Sequence, residues 1–156
     1  MQLRTPKFSR GMTLIELMVV VVIATILVSI AVPSYMAQVR RSRRVEAKTA
    51  LLELAGREER FFSTNGADYS QTPAELGYAA FGVPIASGYY SLGVTRCQVG
   101  ANCGPNAVPG PSYILTATPV AGTPQANDAE CLAFSVDSIG SQFSGGSQTA
   151  AYCWHN

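Results

Sequence analysis

Gly11-Met12-Thr13-Leu14-Ile15-Glu16-Leu17-Met18-Val19-Val20-Val21-Val22-Ile23-Ala24-Thr25-Ile26-Leu27-Val28-Ser29-Ile30-Ala31-Val32-Pro33 decides how this chain is read. From Met12 to Val32 there is a single charge, Glu16. As a helix rising about 1.5 Å per residue, that run spans about 31 Å, roughly the hydrocarbon thickness of a bilayer. Three readings compete. It is a secretory signal cut after Ala31, where Ser29-Ile30-Ala31 is a loose small-x-small site. It is an uncleaved anchor. Or it is cut at its polar edge, before the apolar run, and retained.

The flanks pull in opposite directions. Of 11 basic residues in the 156, Arg4, Lys7 and Arg10 precede the run, and Arg40, Arg41, Arg43, Arg44 and Lys48 follow it. Counting cations alone places the C-terminal part in the cytoplasm. The 4 cysteines, Cys97, Cys103, Cys131 and Cys153, lie in a Gly- and Pro-rich region and argue for disulfides on the oxidising side. Zinc is disfavoured, because no C-x-x-C pair exists and the one histidine is His155. Proximity pairs Cys97 with Cys103 and Cys131 with Cys153, one of three connectivities.

Beyond Pro33 the helical pattern continues. Tyr35, Val39, Val45, Leu51, Leu54, Ala55, Phe61 and Phe62 form an apolar stripe. Arg44, Glu46, Lys48, Glu53, Arg57 and Arg60 are assigned to the opposite face, with Glu53 and Arg57 in a favourable i,i+4 order. The expectation is one helix from about Thr13 to Ser63, kinked or locally melted at Pro33. Asn65-Gly66 stops it, and Thr72-Pro73-Ala74-Glu75 starts a short capped helical turn. Residues 77–88 read as a loop. Strands are expected at Tyr89–Thr95, Tyr113–Thr118, Cys131–Val136 and Ser141–Phe143, separated by loops at 98–111 and 119–127. Residues 144–151 read as loop. The fold class is α+β: a long helix, its second half packed on a four-stranded antiparallel sheet.

Nothing in the chain carries catalysis. It has no Ser-His-Asp set, no phosphate-binding glycine loop before a helix and no metal-ligand spacing. His155 reads as an exposed tail residue, and Trp154 as packed on the sheet beside a disulfide. No cofactor is expected. The Arg40–Lys48 cluster has three readings: a solvated or lipid-headgroup stretch, a partner for Glu53, Glu58 and Glu59 of another subunit, or a contact to nucleic acid. Glu16 has two. It completes a capping box with Thr13, or it neutralises a positive amine on a neighbouring subunit.

Ser9-Arg10-Gly11-Met12-Thr13-Leu14-Ile15-Glu16-Leu17 resembles the prepilin cleavage motif of the type IV pilin family: a basic leader, glycine at the cut and glutamate inside the apolar run. Met18 to Pro33-Ser34-Tyr35 resembles a pilin N-terminal helix. Asp128 to Asp137 with Gly140 and Cys153-Trp154, and Gly88-Tyr89-Tyr90 with Tyr113 to Pro119, resemble PilE-like minor pilins. The resemblance implies cleavage between Gly11 and Met12 by a prepilin peptidase and N-methylation of Met12. It assigns Glu16 an assembly role and makes residues 1–11 a leader, 12–33 a membrane and filament-core helix, and 34–156 a periplasmic domain. Partners implied are the peptidase, other pilins and an inner-membrane assembly machine. The implied function is a filament subunit for adhesion, twitching motility or DNA uptake. A type II secretion pseudopilin and a conventionally secreted or anchored binding module are the alternatives.

Overall fold

The computed structural model of the chain describes residues 11–66, 68–97 and 112–155. The chain divides into two compact units, Met1–Gln38 and Val39–Asn156. Helix α1, Leu14–Thr64, runs for 51 residues and enters both. Its assignment is unbroken through Pro33, so no local melting occurs there. Residues 1–10 of the expected leader and the loop at 98–111, with Cys103, lie outside the described residues, and the expected Cys97–Cys103 bridge therefore does too.

In the second unit four strands follow in order, β1 (Tyr90–Cys97), β2 (Ser112–Pro119), β3 (Ala133–Asp137) and β4 (Gln142–Gly145). They pair antiparallel as β1-β2-β3-β4, the expected meander. The register stacks Leu92, Ala117 and Phe134 in one row and Val94, Leu115 and Val136 in the next. Tyr113, Leu115 and Ala117 are buried, so the alternation along this strand puts its apolar set inward. These rows form one core with Ala47, Leu51 and Leu54 of α1.

The buried line on α1 differs from the expected stripe. It is Arg44, Ala47, Leu51, Leu54 and Glu58, in steps of three and four. Val45 and Tyr35, assigned to the apolar stripe, are 52% and 69% exposed. Arg44, assigned to the polar face, is inside. Hydropathy ranked these residues by type, whereas the helix phase is set by the Ala47-Leu51-Leu54 ladder. Two further corrections concern short elements. Residues 124–127, read as loop, form a 3₁₀ turn, and Ala150–His155 form a helix, α2, that ends the chain's described part. The turn at Pro73–Leu76 is 3₁₀, and Thr72 gives it no side-chain cap. Just ahead of it, Ser70 Oγ accepts the Thr72 amide at 2.9 Å and bonds the Glu75 carboxylate.

Candidate functional site

The first unit presents its candidate site along α1. Thr13 Oγ1 accepts the Glu16 amide at 3.3 Å, the capping half of the expected box. The return bond from the Glu16 carboxylate is not formed among the described residues. Every residue from Gly11 to Gln38 is exposed, Met12 and Glu16 included. The hydroxyls within the run are satisfied internally: Thr25 Oγ1 donates to the Val21 carbonyl and Ser29 Oγ to that of Ile26, both at 2.7 Å. Apart from the Glu16 carboxylate, the side chains from Leu14 to Val32 then ask nothing of water, as an apolar environment requires. An apolar surface this large needs a bilayer or neighbouring helices to cover it.

The basic cluster splits on folding. Arg44 is 2% exposed and grips Asp128, with Nε and Nη2 each at 2.7 Å from its carboxylate oxygens. Nη2 also reaches Glu130 at 2.9 Å. Asp128 is itself buried and takes a further bond from Gln125 Nε2 at 2.8 Å. The Asp128 hydrogen bond outweighs burial and raises the Arg44 pKa further above its ordinary value. Arg43 lies over the Tyr89 ring, 3.6 Å from its centroid, and bonds its hydroxyl. Lys48 donates to the carbonyls of Cys153 and Trp154 at 3.3 and 3.0 Å, a cation at the C-terminal end of α2. Burial, then the Arg44 charge, lowers its pKa. Arg41 alone of the five is fully on the surface. Of the expected partners, Glu58 is wholly buried, whereas Glu53, which also pairs with Arg57 at 2.7 Å, and Glu59 are exposed.

The disulfide corner matches expectation. Cys131 and Cys153 are bonded, 5.6 Å apart at Cα. Trp154 packs edge-on against Phe134 and donates Nε1 to the Phe143 carbonyl at 3.0 Å. His155 is exposed.

Two adjoining grooves of about 470 and 480 Å³ lie at the C-terminal end of α1, sharing Phe61, Asn65 and Glu75. Arg57 and Arg60 line the first and Arg96 the second. Arg57 donates to the carbonyls of Leu76 and Gly77 at 2.8 and 3.2 Å, and Arg96 is held by Asp68 at 3.0 Å. Gly77 has φ 75°, a left-handed conformation that favours glycine, and an added Cβ would meet only the movable end of Arg57. Sequence reading overlooked these grooves and the Arg44–Asp128 pair. The signal for the pair was present: Arg44 and Glu58 extend the Ala47-Leu51-Leu54 ladder at both ends.

An exposed apolar helix continuing into a disulfide-closed α+β domain defines a type IV pilin. The prokaryotic N-terminal methylation motif matches residues 6–32. The family described as type IV minor pilin ComP, DNA uptake sequence receptor, matches residues 33–135, and the chain belongs to it. Similarity extends to the type IV major pilin protein PilA of Myxococcus xanthus (strain DK1622), 45% identical over 71 residues. That match covers 46% of this chain and 32% of PilA, about a third of the relative's length.

Proposed function

We propose that this chain is a minor, non-catalytic subunit of a type IV pilus. It is made with a short leader, cut between Gly11 and Met12 by a prepilin peptidase, and N-methylated on Met12. It waits in the inner membrane with its disulfide-closed domain in the periplasm, then joins other pilins in an extracellular filament. The observation that carries the reading is the apolar stretch from Gly11 to Gln38, exposed on every side. Such a surface suits two successive environments, lipid and a bundle of like helices.

Glu16 has the assembly role. A carboxylate in apolar surroundings costs a few kcal/mol and is offset by the new N-terminal amine that cleavage creates on a neighbour. Mass spectrometry of the N-terminal peptide from shed filaments tests both points. N-methyl-Met12 is expected, and Glu16→Ala is expected to leave the processed chain in the membrane fraction. A start at Val32 would return the chain to the conventional secretory class, and normal assembly of the variant would remove the Glu16 role.

A second reading concerns DNA, because the matched family is described by a DNA uptake receptor. Beyond Lys48 the cations are Arg57, Arg60 and Arg96, and all three line the paired grooves. That face is where this chain would meet phosphates.

A further inference from the structure

The second half of α1 buries a carboxyl group with no cation beside it. Glu58 is 0% exposed. Its Oε2 accepts the Ser70 amide at 3.0 Å, and its Oε1 has no hydrogen-bond partner. The charged groups facing it are Glu59 on its own helix and Glu75 on the 3₁₀ turn, both of like sign. The phenols of Tyr69 and Tyr113 lie alongside, each donating to Glu59 Oε1 at 3.1 Å. The nearby arginines are committed elsewhere. Arg57 holds Glu53 and the carbonyls of Leu76 and Gly77, while Arg96 holds Asp68 and the Tyr69 carbonyl.

We propose that Glu58 is a proton-operated latch on the segment Asp68–Gly77: protonated, it lets the segment seat against α1, and ionised, it loosens it. The geometry concentrates this effect on one hinge point. Ser70 receives the latch through its amide and passes it on through its hydroxyl, which bonds both Thr72 and Glu75. Asp68 to Gly77 in turn walls both grooves. The Ser70 N–H favours the ionised form, but burial opposes it more strongly and the two neighbouring carboxylates add to burial. Together they push Glu58 up to about 7 from 4.5.

The sign follows from linkage. An acid raised on folding is unpenalised below about pH 4.5, where it is neutral in both states. The penalty grows as pH rises toward 7 and is complete above it. The segment is therefore held more tightly in acid than at alkaline pH. The proposal stands whether or not the grooves meet DNA.

Amide hydrogen exchange on the mature full chain in detergent micelles, at pH 5.5 and pH 8, tests it after correction for intrinsic rates. Protection within Asp68–Gly77 is expected to fall on the order of ten- to a hundredfold at pH 8, with β2 and β3 unchanged. Glu58→Gln, which keeps shape without the charge, is expected to hold the segment equally at both. Equal protection in the wild type, or an undiminished fall in the variant, overturns the latch. A direct carbon-13 titration of the Glu58 carboxyl in the wild type needs no variant. A midpoint near 7 supports the proposal and one near 4.5 removes it.

Discussion

Arg44 and Asp128 illustrate how one pair of residues ties distant parts of the domain. Buried ion pairs are weak sources of net stability, because desolvation consumes much of the attraction. Breaking one is different, since the orphaned charge stays inside. Arg44→Ala would leave Asp128, 1% exposed, with only the Gln125 amide. A loss of about 3–5 kcal/mol is expected, measured by urea unfolding of the oxidised domain in micelles. Replacing Arg44 and Asp128 together by apolar residues of similar volume is expected to restore most of it. The contrast with Arg41, exposed three positions earlier, follows from helix phase and not from residue type.

Among the elements, α2 shows most clearly what local sequence hides. Thr149 to His155 is too short to signal a helix by periodicity, and a six-residue helix is not stable alone. Tertiary partners make it: the bond from Cys153 to Cys131, Lys48 on its last carbonyls and Trp154 against Phe134. The bridge spans 22 positions, and by loop entropy contributes about 3 kcal/mol. A Cys131→Ala, Cys153→Ala double variant is expected to lose about that much in denaturant unfolding and to expose α2 to protease first. An unchanged midpoint would place the stability in Trp154 and Lys48. The strands and the helix were legible, because alternation and a long apolar run are strong local patterns. The 3₁₀ turn at 124–127 was not, since its Gln125 is buried by contacts that come from Arg44's partner, Asp128.

For the whole molecule, charge placement limits what the filament can touch. No lysine or arginine follows Arg96 in the sequence, so β2, β3, β4 and α2 offer no side-chain cation of those types. If duplex DNA binds the α1 end, Arg60 is the exposed cation there. Arg60→Gln is expected to weaken binding of a labelled duplex to the mature chain and to reduce its log–log salt slope by about 0.9. Unchanged affinity and slope would move any nucleic-acid contact off this face. The N-terminal sequence by itself pointed to the pilin class through its resemblance to the methylation motif, because the glycine, the glutamate and the apolar run around it are local features that can be matched without the fold. It also determined the four strands, through their alternation. Only the tertiary structure decided which charges remain available. Arg44 and Glu58 are charged residues by type, yet the helix phase set by Ala47, Leu51 and Leu54 carries both inward, where Arg44 finds a carboxylate and Glu58 finds no cation.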